Sequence, residues 1–250
     1  MTGLESTLRR IKENISVNPE KPHYECPECR DTGFIQFTTD EGRISVRECS
    51  CQAVKQSKQL MEQSGISREF NSKGFKNFDT KNIPQLIIAK RKAINYFKEF
   101  KDVEQTRNNS IMFCGQVGSG KTHLGVAISR SLMSKNIAVI YMAYRNAITK
   151  IKQVLIDSTD YYHEISRYSQ ARVLYIDDFL KGKVTEADVN IVYEIVNYRY
   201  MNNLPLIIST EKSLDEIITF DEAIGSRIIE MCRGNIVHLQ GKELNHRLYS

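Results

Sequence analysis

The run Gly115-Gln116-Val117-Gly118-Ser119-Gly120-Lys121-Thr122 satisfies the pattern G-x-x-x-x-G-K-[ST] at every fixed position. It constrains the fold more tightly than any other stretch, because its chemistry needs one particular backbone. Gly115, Gly118 and Gly120 let the chain wrap so that its N–H groups point inward at an anion. A helix expected over 122–134 turns its positive dipole end toward the same anion. Lys121 would reach the β- and γ-phosphates, and the Thr122 hydroxyl would coordinate Mg²⁺. The run also follows an apolar strand, 110–114, and opens a helix with Leu124, Ala127, Ile128 and Leu132 on one stripe. Strand, loop and helix in that order are what a nucleotide site requires.

Such a site needs a second strand ending in acid. Val173-Leu174-Tyr175-Ile176-Asp177-Asp178 provides one. Asp177 would hold Mg²⁺, usually through water, and Asp178 would polarise the attacking water. The plainer alternative is an acidic strand end facing solvent. Asp178 is one methylene shorter than a glutamate, so the water is held less well. The expectation is slow Mg²⁺-dependent ATP hydrolysis, suited to a switch rather than a motor.

Patterns of helix and strand alternate from residue 83 onward. Helices are expected over 84–101, 122–134 and 146–156, and strands over 110–114, 138–142, 173–177, 206–210 and 236–239. Alternation of this kind predicts an α/β fold with a parallel, doubly wound sheet. With 250 residues the chain has room for one or two domains. Charged residues at 26% and hydrophobic ones at 41% exclude a wholly disordered or collagen-like chain. No apolar run reaches the roughly 18 residues of a membrane span. The start lacks the apolar core of a secretory signal, so a cytoplasmic protein is expected. The net charge of +5 is compatible with nucleic acid without requiring it.

Four of the six cysteines crowd into one short segment, as Cys26-Pro27-Glu28-Cys29 and Cys49-Ser50-Cys51. In a reducing cytosol they are not expected to form a disulfide framework. Two close pairs of thiolates suit tetrahedral Zn²⁺. Between the pairs, 33–38 and 43–47 read as a hairpin around Asp40-Glu41-Gly42, a zinc-ribbon layout. All four positions would be filled by protein, which makes the site structural. Free cysteines or a redox pair are the alternatives, and His23 is a possible substitute ligand. Cys114 and Cys232 read as core thiols. A polar helix over 52–65 follows, then a turn-rich stretch with interleaved phenylalanines that docks by its aromatics. The expected layout is a zinc-binding module at 1–60, a linker at 61–81 and a nucleotide-binding domain at 82–250.

Taken with the phrases Gly65-Ile66-Ser67-Arg68-Glu69-Phe70 and Gly74-Phe75-Lys76-Asn77-Phe78-Asp79, these motifs resemble the DnaC/DnaI family of replicative helicase loaders. The cysteine module resembles the DnaI-like and phage-encoded branch. The resemblance implies an AAA+ ATPase that binds a hexameric replicative helicase through its zinc module, self-associates in an ATP-dependent ring or spiral, and helps place the helicase on single-stranded DNA. It implies ATP, Mg²⁺ and Zn²⁺ as cofactors. It also maps Thr210 to the polar residue that senses the γ-phosphate, and Ser226-Arg227-Ile228-Ile229 to the segment carrying an arginine finger. Arg227 sits in a helix expected over 221–232, beside the stripe of Ile224 and Ile228, and so can point outward to act on a neighbour's nucleotide. An ordinary surface arginine is the alternative, and Arg233 is the next candidate finger. There is little room for a helical lid, and Arg247 is the candidate for a lid-type arginine.

Tyr144, Arg145, Lys150 and Lys152 mix an aromatic with cations just beyond a strand end, as single-strand binders do. The same residues also read as one side of an amphipathic helix with Ile148, Ile151 and Leu155 buried. Two other functions fit the nucleotide motifs: an IstB-like transposition ATPase that remodels DNA, for which no zinc ribbon is expected, and a stand-alone nucleotide-switch regulator.

Overall fold

A computed structural model describes residues 24–61 and 72–248. The phrase at 65–70, His23 and the expected helix end at 62–65 lie outside the described residues. The chain divides into two compact units, Met1–Cys49 and Ser50–Ser250.

In the first unit, β1 (Phe34–Thr38) and β2 (Ile44–Glu48) pair antiparallel, with Phe34 opposite Glu48 and Thr38 opposite Ile44. Gly42 turns the chain at φ 77°, a left-handed value that glycine adopts without steric penalty. The hairpin does not bury its apolar side chains: Phe34, Phe37, Ile44 and Val46 are all exposed. Two strands alone are marginal in water. What this unit does bury, among its described residues, is Cys26, Cys29, Gly33 and Cys49.

The second unit is built on a five-stranded sheet. Its strands are β3 (Ile111–Gly115), β4 (Val139–Ala143), β5 (Val173–Phe179), β6 (Leu206–Thr210) and β7 (Ile236–Leu239), in the order β4-β5-β6-β3-β7 with every pairing parallel. β3 and β6 are buried along their whole length, as strands covered on both faces must be. Alternation along each strand feeds two cores. Ile111, Phe113, Tyr175 and Ile207 face one, filled by α2 (Pro84–Val103) and α3 (Lys121–Met133). Met112, Leu174, Ile176 and Ile208 face the other, filled by α4 (Tyr144–Gln153), α5 (Ser158–Ser169), α6 (Glu186–Met201), α7 (Leu214–Phe220) and α8 (Glu222–Met231). The remaining helix, α1 (Ser50–Met61), adds Val54 to the first of these cores.

The segment before α2 docks by its aromatics: the Phe75 ring lies 6.3 Å from Phe97, and Phe78 meets His123 edge-on at 5.2 Å. Arg199 is fully buried, and its guanidinium donates to the carbonyls of Tyr168, Ala171 and Pro205, tying the end of α5 to the start of β6. α8 begins where its cap predicts, with the Asp221 carboxylate accepting the Ile224 N–H at 2.8 Å. Among the described residues no helix is long and apolar enough to cross a membrane.

Candidate functional site

The all-apolar β3 ends at Gly115, and α3 begins at Lys121 with Gly120 in the left-handed region at φ 87°. The intervening loop is walled on its outer side by the segment after β7. A Cβ on Gly115 would sit 2.0 Å from the Leu239 carbonyl oxygen. Gln116 donates from its backbone to Leu239 O at 3.1 Å, and its side chain exchanges two hydrogen bonds with the backbone of Gly241. His246 N–H donates to Gly118 O at 3.2 Å. Gly115→Ala is therefore expected to cost about 3 kcal/mol, because backbone rather than a side chain must give way. That lowers Tm by about 6–12 °C in thermal unfolding, and an unchanged Tm would contradict the packing.

Lys121 is buried and donates to the carbonyls of Gly115 at 2.8 Å and Gln116 at 2.7 Å. Burial pulls its pKa down, while Glu211 and Asp178 pull it back up. Beside it, Asp177 is saturated with hydroxyl donors. Its Oδ1 accepts from Thr122 at 3.0 Å, from Tyr175 at 2.8 Å and from Ser209, and its Oδ2 accepts from Tyr141 at 3.0 Å. Burial first, and then the charge on Asp177, push the Tyr175 phenol well above its usual pKa, so it stays a donor. Asp178 has φ 55°, and its N–H donates to Ser209 Oγ at 3.1 Å. Thr122 and Asp177 are thus brought together, hydroxyl to carboxylate.

Of these groups Lys121, Thr122 and Asp178 line a cleft of about 360 Å³, within the range of small-molecule sites. Val117 to Thr122 form its floor, and Phe78 and Asp79 close one side. Lys181, Glu211, His246 and Arg247 also line it. Sequence reasoning gave no site role to Phe78, Lys181, Glu211 or His246. Only the Phe78-Asp79 phrase carried a signal, as part of the family resemblance. Thr210 is at the expected strand end but turned into the core: its hydroxyl donates to Phe179 O at 2.8 Å and accepts from Lys212 N–H at 3.0 Å.

The expected DNA-contacting group needs correction at Tyr144. The helix starts two residues earlier than the pattern suggested, which puts Tyr144 on one stripe with Ala147, Ile148 and Ile151. Its ring is 2% exposed and packs edge-on against Phe179, so it offers no surface for stacking a base. Arg145 donates to Lys183 O at 3.1 Å, Lys150 pairs with Glu164, and Lys152 meets Asp188 at 2.6 Å. Arg227 is half-buried rather than turned outward. It donates to Ala223 O, and its guanidinium lies 5.4 and 5.5 Å from the ring centres of Tyr200 and Tyr193. Arg233 is exposed.

At the cysteines, the ligand atoms of Cys26, Cys29, Cys49 and Cys51 all lie within 4.8 Å of one another, and all four residues are buried. Left-handed φ values at Arg30 and Asp31 close the first knuckle. The Asp31 carboxylate accepts the N–H of Cys26 at 2.8 Å, and Gly33 N–H donates to Cys29 Sγ at 3.3 Å. Cys26 Sγ and Cys49 Sγ are 3.7 Å apart. A disulfide needs about 2.05 Å. The edge of a tetrahedron with Zn–S bonds of about 2.3 Å is about 3.8 Å. The donor set therefore fits zinc. Cys114 and Cys232 are buried in the second unit, where burial pushes the Cys114 thiol up to about 12 and the Cys232 thiol higher still. Both are inert core thiols.

A sequence-family model described as IstB-like ATP binding protein matches residues 45–244. The phage-like element PBSX protein XkdC of Bacillus subtilis (strain 168) is 36% identical, over 96% of this chain and 92% of its own length. The replicative helicase loader DnaC of Buchnera aphidicola subsp. Schizaphis graminum (strain Sg) is 22% identical, over 100% of this chain and 98% of its own. The crystal structure of the DnaC helicase loader shares the fold, with a TM-score of 0.59 at 23% identity, covering 68% of this chain and 98% of that one.

Proposed function

The chain belongs to the IstB-like ATP-binding family, within the IstB/DnaC-type AAA+ proteins, and from that premise we propose that it is an ATP-dependent loader of a hexameric replicative helicase onto single-stranded DNA. The observation that carries this reading is the quartet of buried cysteines, Cys26, Cys29, Cys49 and Cys51, that precedes the sheet in the chain. A transposition ATPase of the IstB kind is not expected to carry such a module, whereas a loader needs a part that holds its helicase. The end-to-end alignment with a helicase loader supports the same choice. The place of action is the cytoplasm, where replication proceeds.

In this reading residues 115–122 cradle the triphosphate of ATP. Thr122 and Asp177 would hold Mg²⁺, whose charge, when bound, offsets that of the β- and γ-phosphates. Asp178 orients the attacking water, and its short side chain keeps hydrolysis slow. Cys26, Cys29, Cys49 and Cys51 hold Zn²⁺ and keep the helicase-contacting hairpin folded. Arg227 acts across a subunit boundary in an ATP-dependent ring or spiral, and to do so its guanidinium leaves the faces of Tyr193 and Tyr200. Arg145, Lys150 and Lys152 track the DNA backbone once their partners within the chain are released.

The family description also favours a second reading, a transposition ATPase that remodels DNA for a transposase. One experiment separates the two. The full chain is mixed with the replicative helicase of its own source, with and without ATP·Mg²⁺, and helicase bound to circular single strands is counted. A complex and ATP-dependent placement on circles, which have no end to thread, are expected. Failure to bind the helicase, together with binding to a co-encoded transposase, would replace the loader reading with the second.

A further inference from the structure

We propose that Lys181 discriminates ATP from ADP: its ammonium, held between Asp178 and Glu211, is the group that registers a γ-phosphate in the cleft. The inference rests on the nucleotide reading of that cleft and adds to it a residue outside the sequence motifs.

Lys181 is carried to the site by a tight turn off the end of β5. Its N–H donates to Asp178 O at 3.1 Å. The turn holds Asp178 at φ 55° and Leu180 at φ 60°. A branched side chain rarely adopts a left-handed φ, and such strain persists only where the surroundings fix it. Here the Leu180 side chain is buried in the core and anchors the turn. The result is an ammonium 2.9 Å from Asp178 Oδ2 and 3.2 Å from Glu211 Oε1, in the same cleft as Lys121 and Thr122.

An ordinary exposed ion pair would need no further account. Three features set this one apart. It joins the ends of β5 and β6, and β6 lies directly between β5 and the strand that leads into the phosphate loop. The polar side chain expected to face the γ-phosphate, Thr210, is turned inward, so the residue at the end of β6 that lines the cleft is the anion Glu211. The group as a whole, two carboxylates and one ammonium, carries a net negative charge beside the place where a triphosphate must fit. A γ-phosphate arriving there is repelled unless Lys181 turns to it. ADP does not reach that far and makes no such demand. Moving the ammonium onto the phosphate also frees the Asp178 carboxylate to orient water, so nucleotide recognition and readiness for hydrolysis are joined in one side chain.

The test is equilibrium binding of Mg²⁺·ADP and of Mg²⁺·β,γ-methylene-ATP to the full-length protein and to Lys181→Met, Lys181→Arg and Glu211→Gln. Lys181→Met should weaken the triphosphate analogue by about 10-fold or more, the worth of a charge-assisted hydrogen bond. ADP affinity should stay within about twofold, and Lys181→Arg should keep most of the discrimination. Glu211→Gln removes the competing anion and should raise the preference for the triphosphate. Should Lys181→Met fail to fold, Glu211→Gln alone decides the matter, since an unchanged ratio there overturns the proposal. Equal shifts for both nucleotides in Lys181→Met, with thermal unfolding unaltered, also overturn it and leave Lys181 as a brace of the turn. If the wild type binds neither nucleotide, the nucleotide reading falls first and this inference with it.

Discussion

Lys121→Ala is expected to reduce ATP hydrolysis by about 10²–10³-fold while the protein stays folded. The ammonium is held ready by two carbonyls of its own loop, those of Gly115 and Gln116. Both are neutral acceptors that a phosphate oxygen replaces with gain, since an anionic oxygen adds charge–charge attraction to the hydrogen bond from the ammonium. Burial has already stripped the lysine of much of its water and lowers its pKa, so little solvation remains to be lost when nucleotide binds. Alanine leaves the loop without the cation that faces the developing charge. Hydrolysis followed against protein concentration, with thermal unfolding as the control for folding, checks the expectation. Turnover and ATP affinity equal to wild type would remove the site assignment from this loop.

The second large effect is loss of metal from the cysteine quartet. Extraction by a chelator is expected to unfold the hairpin unit and leave the sheet of the second unit intact. The hairpin exposes Phe34, Phe37, Ile44 and Val46, so apolar burial contributes little to holding it. Structural zinc in small modules supplies an apparent free energy of about 10–16 kcal/mol near neutral pH. Because the ligands bind as thiolates, acid should release the metal in the same way, as protons compete for sulfur. Metal analysis should find about one zinc per chain, and amide exchange should show the loss of protection confined to residues of the hairpin. Protein free of zinc with four reactive thiols and an intact hairpin would refute the assignment.

The parts of this site that could be read in the sequence are those that local spacing decides. Gly115 to Thr122 form a loop because glycines fall where the backbone turns left-handed. Asp177 falls near the end of a buried strand because the four apolar residues Val173 to Ile176 precede it. The cysteine pairs meet because a hairpin of fixed length lies between them. The parts that could not be read depend on what arrives from elsewhere in the chain. Nothing near Tyr144 says that Phe179 will cover its ring, and a helix beginning two residues earlier was enough to turn it inward. Nothing near Arg227 predicts two tyrosines from α6 beneath its guanidinium. Lys181 and Glu211 are thirty residues apart and become partners only because β5 and β6 are neighbours in the sheet. Polar groups make such partnerships across the fold with no periodic signature along the chain.

The outer wall of the phosphate loop is supplied by residues 239–246, which contribute Leu239, Gly241, Asn245 and His246 to its glycines and to Gln116. During synthesis the loop therefore leaves the ribosome well before its wall exists. Contacts of such sequence separation form late and slow folding. The loop lacks these supports until β7 is laid beside β3. The shape of the loop is in this way set by residues that follow it by about 125 positions along the chain.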